Sequence, residues 1–121
     1  MIAYIYSVKL EDEIVQESFK NEHLKAVINV MYTSSWLNRS LTEALKPYEI
    51  TQQQYNILRI LKGQHPEPAS IKLIKERIID KMSDVSRIVE KLRLKKLVSR
   101  EVCESDRRNV DVLISPTGLE L

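Results

Sequence analysis

The clearest periodicity in the chain lies in residues 82–100, MSDVSRIVEKLRLKKLVSR, where Val85, Ile88, Val89 and Leu92 fall at i, i+3, i+4 and i+7. That spacing sets four branched apolar side chains on one stripe of an α-helix, and such a stripe must face a core. Asp84, Arg87, Lys91 and Lys95 line the opposite side, with Ser83 and Ser86 at its N-terminal end. Ser83 is the expected N-cap, because its hydroxyl can accept from a backbone N–H two or three residues on. Asp84 would then suit the positive end of the helix dipole. The outer face is either simply solvated or offered to a partner.

Upstream, no glycine or proline interrupts residues 8–46, and Leu10, Ile14, Phe19, Leu24, Val27, Ile28, Met31, Leu41, Ala44 and Leu45 recur at helical spacing. One long helix, or two in series, is expected there. Val30, Tyr32, Trp36 and Leu37 add apolar groups away from the main stripe, more than a small domain covers, so a second subunit is expected to cover them. The competing reading packs Trp36 and its neighbours on their own domain. Residues 1–7, MIAYIYS, fit a strand, a helix extension or an arm onto a partner subunit.

Pro47 should end the long helical stretch, since its ring disfavours the helical conformation at Lys46. Thr51 and Gln54 form a T-x-x-Q capping box, Ile50 can staple onto Tyr55, and Tyr55, Leu58 and Leu61 supply a buried side before Gly63 closes the helix. Ser70 is the next expected N-cap, followed by a short helix marked by Leu73, Ile74 and Ile78. Two short helices joined by a brief turn, the second with an outward basic face, make the outline of a helix-turn-helix, although the usual turn glycine is absent. Val98, Val102, Val110, Val112 and Ile114 then alternate with polar residues on either side of residues 104–109, which reads as a two-stranded hairpin with a charged tip, a wing. Ser115 caps a further helix with Pro116 at its first position.

The expected class is mainly α with a small β-hairpin (α+β), a winged helix-turn-helix preceded by a long N-terminal helical segment. Residues 1–48 would be the dimerisation segment, 49–115 the winged domain and 116–121 the start of a C-terminal helix. With 121 residues and 43% hydrophobic content, there is room for one modest core. No run approaches the ~18 apolar residues of a membrane span, and residues 1–7 lack the cationic start of a signal peptide, so a cytoplasmic protein without a membrane partner is expected. Cys103, the single cysteine, excludes an internal disulfide and a multi-cysteine metal site.

The formal net charge of +2 hides an uneven distribution. Residues 70–108 hold 12 Lys+Arg against 7 Asp+Glu, a balance of +5, while residues 1–69 hold 7 against 8 and residues 109–121 none against 2. A local basic surface attracts a polyanion even when the whole molecule is close to neutral, which favours a nucleic-acid partner. A groove-reading helix presents its N-terminal residues to base edges, which assigns Ser83, Asp84, Ser86 and Arg87 to bases and Lys91 and Lys95 to phosphates. Ser70 and Lys81, before and after the first helix of the pair, join the expected DNA contacts.

Residues 50–118 resemble the MarR (multiple antibiotic resistance regulator) family of winged-helix transcription factors. The likeness rests on five pieces in order: T-x-x-Q-Y-x-I-L-x-x-L, S-x-V-S-R-I-V-E-K-L, L-V-x-R, D-R-R and I-S-P-T-G. It implies a homodimer on a roughly palindromic double-stranded operator, with one recognition helix per half-site in successive major grooves. It also implies a wing-tip arginine in the minor groove, here Arg108, with Asp106 steadying the hairpin and Arg107 touching phosphate, or the two arginines exchanged. A planar guanidinium suits the concentrated negative potential of a narrow A/T-rich groove.

The chain departs from that pattern in three places. Lys96 stands where the family commonly has glycine, so either a left-handed residue there costs about 1 kcal/mol or the turn is built differently. Relatives continue past S-P-T-G into long C-terminal dimerisation helices, so the sequence is expected to be trimmed or to dimerise mainly through residues 1–46. The first-helix cysteine of redox-sensing members has no counterpart.

A pocket near Tyr32, Trp36, Tyr48 and Tyr55 would suit an aromatic or amphipathic effector, although such rings also serve as plain core. No cofactor or metal is expected. Neither catalysis nor a phosphate loop is signalled: His23 and His65 are far from Cys103 in sequence, and no H-x-x-x-H, glycine-rich loop or nucleophile elbow occurs. The alternative function is a winged helix used for protein contact or as a co-regulator without direct operator binding.

Overall fold

The computed structural model describes residues 8–106 and 108–121; residues 1–7, for which a strand, a helix extension and an arm are the expected alternatives, and Arg107 lie outside them. The chain divides into two compact units, Met1–Leu41 and Thr42–Leu121. Helix α2, Glu22–Leu45, begins in the first and ends in the second.

In the first unit the expected helical run from Leu10 breaks early. Helix α1 covers only Leu10–Glu13, and Val15 takes a left-handed φ of 54°. Three consecutive acids, Glu11, Asp12 and Glu13, which favour a helix's first turn, occupy its only turn and so crowd the negative end of the dipole as well. Two β-branched residues, Ile14 and Val15, follow, neither a strong helix former. Ile14 and Phe19 are therefore outside any helix. The chain restarts where Asn21 Oδ1 accepts from the Leu24 N–H at 2.8 Å. Glu11 pairs with Lys25, and Tyr32 donates its hydroxyl hydrogen to Glu13. Along α2, Val27, Val30, Met31, Trp36 and Leu37 are all exposed.

The second unit is built from a series of local stops and starts. Helix α2 ends at Leu45, and Pro47 sits in a 3-10 turn, Lys46–Tyr48, which closes on left-handed Glu49 at φ 55°. The capping box forms as expected: Thr51 Oγ1 accepts from the Gln54 N–H and Gln54 Oε1 from the Thr51 N–H, both at 3.1 Å. Such a cap contributes about 1 kcal/mol. Helix α3 runs Gln52–Gln64, passing through Gly63 rather than stopping at it, and ends on His65 ahead of Pro66. Its buried side is Ile57, Leu58, Ile60 and Leu61, whereas Tyr55, expected inside, is exposed.

Ser70 Oγ accepts from the Leu73 N–H at 3.1 Å and starts α4, Ile71–Arg77. Helix α5, Val85–Leu94, closes with a Schellman motif in which the Lys96 N–H reaches Arg93 O at 2.9 Å and the Leu97 N–H reaches Leu92 O at 3.0 Å. Lys96 takes the left-handed position of that motif, φ 61°, so the turn is the glycine type built with a lysine.

The sheet has three strands rather than the expected two, in the order β1-β3-β2. Strands β2, Val98–Val102, and β3, Val110–Ile114, form the hairpin with Val98 opposite Ile114 and Val102 opposite Val110. The extra strand β1 is only Ala69–Ser70, paired antiparallel with Val112 and Asp111. Ser115 Oγ accepts from the Gly118 N–H at 3.0 Å to begin α6, Pro116–Glu120.

Ile57, Leu61, Ile74, Val85, Val89, Leu92 and Val112 are fully buried. They come from α3, α4, α5 and β3, so one core fixes the helix-turn-helix and the wing sheet together. Each such side chain contributes about 1.5–3 kcal/mol relative to exposure. Among the described residues no helix is long and apolar enough to cross a membrane.

Candidate nucleic-acid interface

Helix α5 begins one residue later than the sequence suggested. Asp84, not Ser83, is the N-cap, its Oδ1 accepting from the Arg87 N–H at 3.2 Å. Aspartate and serine rank alike as caps, so the residue types alone do not separate them. Ser83 is half-buried, and its Oγ has no hydrogen-bond partner among the described residues.

Burial divides the helix cleanly. Val85, Val89 and Leu92 are inside and Ile88 is half-buried, while Ser86, Arg87 and Lys91 are exposed. Among the described residues, neither Arg87 nor Lys91 makes a side-chain hydrogen bond or ion pair. Of the other cations of the stretch, Arg93, Lys95 and Arg100 are engaged within the fold. Arg93 holds Glu90 through two hydrogen bonds at 2.8 and 3.0 Å, and Arg100 of β2 reaches the same carboxylate at 3.0 Å. The two guanidiniums, Arg93 foremost, pull the Glu90 carboxyl down to about 2. Lys95, expected near phosphate, instead turns its ammonium onto the Glu49 carbonyl and Gln54 Oε1, tying the end of α5 to the start of α3.

The remaining sequence-derived candidates separate in the same way. Ser70 uses its hydroxyl as the α4 cap, and Lys81 sets its ammonium on the Glu76 carbonyl at 2.6 Å, neutralising the end of α4. At the wing, Asp106 Oδ1 accepts from the Arg108 N–H at 3.0 Å and Oδ2 from Asn109 Nδ2 at 3.2 Å. The Asn109 N–H also reaches Asp106 O at 2.9 Å. Asp106 thus organises the turn from within, and Arg108 is exposed at its tip. The other expected tip residue, Arg107, lies outside the described residues.

Two recesses contain the aromatic candidates. Tyr32 and Trp36 line one of about 370 Å³ in the first unit, with Leu10 and Asn29. Tyr48 and Tyr55 line one of about 310 Å³ in the second unit, with Leu58, Arg59, Ile114 and Leu121. The Cys103 thiol lies 3.0 Å from Ser105 Oγ, a contact that lowers its pKa. No group of three His, Cys, Asp or Glu side chains among the described residues could hold a metal.

Sequence reasoning missed the Glu90 clamp. Its i,i+3 spacing to Arg93 was visible, but Arg100 arrives only through the strand that follows.

Solved structures with this arrangement include a MarR transcription factor from Planctomyces limnophilus, 28% identical, spanning 85% of this chain and 74% of that one with a TM-score of 0.73. The chain has the MarR-type winged-helix fold. The same fold is found in S. aureus MepR in its DNA-binding conformation, at 20% identity over 78% of this chain and 69% of that one, TM-score 0.70. It is found again in reduced AbfR bound to DNA, AbfR being from Staphylococcus epidermidis, at 20% identity over 84% and 73%, TM-score 0.67. No protein-family model and no curated protein matches the chain. In MarR-type terms α4 and α5 are the helix-turn-helix and β2–β3 the wing, and the left-handed Lys96 lies at the junction between α5 and that wing.

Proposed function

We propose that this protein is a DNA-binding transcriptional regulator, read as a repressor, that grips double-stranded DNA as a homodimer. The observation that carries the proposal is the division of α5: its inner face is locked in the core while Ser86, Arg87 and Lys91 stay exposed, although nearby Arg93, Lys95, Arg100 and Lys81 are all engaged within the fold. The similar MepR and AbfR structures, in a DNA-binding conformation and bound to DNA, support it.

In the proposed complex α5 enters the major groove. Arg87 donates two parallel hydrogen bonds to a guanine edge, Ser86 contacts a neighbouring base, and Lys91 meets phosphate. Ser83 and Asp84 flank the groove at the helix mouth. The wing presents Arg108 to the minor groove, where Asp106 keeps the turn in shape. Residues 1–48 supply the dimer contact, and the exposed apolar groups of α2 are what a second copy would cover. DNA affinity is set by this surface alone or lowered by a small effector held either in the recess lined by Tyr32 and Trp36 or in the one lined by Tyr48 and Tyr55.

Selecting duplexes from a random-sequence library with the purified protein, then measuring the winner against a scrambled duplex over a salt series, tests this reading. One enriched sequence, tighter than the scramble and weakening steeply with salt, is expected. Equal and salt-insensitive binding of both duplexes would sink it and favour a protein-docking winged helix.

A further inference from the structure

The connection between α4 and α5 carries two strongly exposed apolar side chains: Ile79 is 77% and Met82 92% exposed. Isolated apolar groups on a surface need no explanation, but this segment is held firmly from behind. The Ile79 N–H donates to Oδ1 of the buried Asn56 at 3.3 Å. The Met82 N–H donates to Asp80 Oδ1 at 3.0 Å and the Ser83 N–H to Asp80 O at 3.1 Å. Lys81 returns its ammonium to the end of α4. The connection is therefore tied to itself and to the fold by these bonds, and presents hydrocarbon and a thioether to solvent.

The place of that apolar surface is specific. Met82 lies two residues before the Asp84 cap, beside the turn that exposes Ser86 and Arg87. In the major groove each A·T pair displays one apolar group, the thymine 5-methyl, and apolar side chains read it by contact. Methionine is unbranched and polarisable, so it can settle on a methyl without a rigid fit.

We infer that Met82, flanked by Ile79, is a specificity-determining residue that packs on a thymine 5-methyl group at the edge of the sequence read by α5. This rests on the DNA-binding reading above and adds one base-level contact to it.

The test uses the duplex selected by the wild-type chain, with each thymine replaced in turn by deoxyuridine, which removes only the methyl group. At one or two positions the replacement should weaken the wild type about three- to fivefold, the scale of one buried methyl. Met82→Ala should bind the thymine and uracil forms equally at those positions, and Met82→Leu should restore the difference. Both substitutions are at an exposed site, so folding is not at stake. If no sequence is enriched, the DNA-binding reading falls and this inference with it. If a site is enriched but every uracil duplex binds the wild type as well as its parent, or if Met82→Ala keeps the full thymine–uracil difference, this inference alone is overturned.

Discussion

Arg100 Nη1 of strand β2 donates to Glu90 Oε2 of helix α5 at 3.0 Å, so the helix proposed to enter the groove and the strand leading to the wing are joined by a charge-assisted hydrogen bond. Arg93 holds the other side of the same carboxylate. The Glu90 carboxyl lies far below its ordinary 4.5, at about 2, because both cations favour its charged form. A depressed native pKa contributes stability above the ordinary value and loses it as pH falls through the native one. Glu90→Gln should therefore lower the melting temperature at pH 7, with the deficit shrinking below pH 4.5 and vanishing near pH 2. Thermal unfolding of both proteins across that range checks it; a deficit of the same size at every pH contradicts it.

Lys96 adopts φ 61° at the Schellman position that closes α5. A side chain there costs about 1–2 kcal/mol relative to the right-handed region, a cost glycine avoids at some expense in unfolded-state entropy. Lys96→Gly should stabilise the protein by about 1 kcal/mol, measured by urea unfolding. A loss of stability would mean that the lysine side chain makes a contact worth more than the backbone strain.

Gly118 behaves in the opposite way. It is buried in α6, and a Cβ there would run into the Leu97 carbonyl oxygen and stand 2.8 Å from Ile114 Cγ1. Backbone cannot move aside cheaply, so Gly118→Ala should destabilise by about 1–3 kcal/mol, the usual cost of overpacking. An unfolding midpoint equal to wild type would contradict the packing of α6 onto the end of α5 and β3.

Asp106 holds the wing turn through two side-chain acceptor bonds on the exposed surface. Asp106→Ala should leave global stability within about 0.5–1 kcal/mol of wild type, since the turn is outside the core. It should nevertheless weaken binding to a selected duplex with A/T-rich flanks more than to one with G/C-rich flanks, because the proposed minor-groove contact depends on the tip. An equal loss on both would remove the minor-groove role of the wing.

What could be read from the sequence was what is decided locally. The Thr51–Gln54 box, the Ser70 and Ser115 caps and the alternation that pairs Val98 with Ile114 each need only a few neighbouring residues. The family resemblance marked Lys96 as a glycine position and left two readings of its turn, of which the left-handed one is found. What escaped was decided by distant partners or by a margin of one residue. Strand β1 is two residues long and exists because β3 offers a free edge. Lys95 looked like part of the outer face because nothing in its own helix announces the Glu49 carbonyl. Ser83 and Asp84 are equally good caps, so the residue types alone do not separate them. The early end of α1 reflects crowded acids at a helix end, where the absence of glycine and proline had suggested continuity.

The central claim is that Arg87 reads a base and Lys91 meets phosphate from one exposed helix face. Binding of wild type, Arg87→Ala and Lys91→Ala to the selected and scrambled duplexes should be measured over a salt series. Arg87→Ala should lose about 1–3 kcal/mol of discrimination between the two duplexes, and Lys91→Ala should weaken both equally while reducing the salt slope by about 1. Two variants that bind both duplexes as the wild type does, with an unchanged slope, would contradict the account.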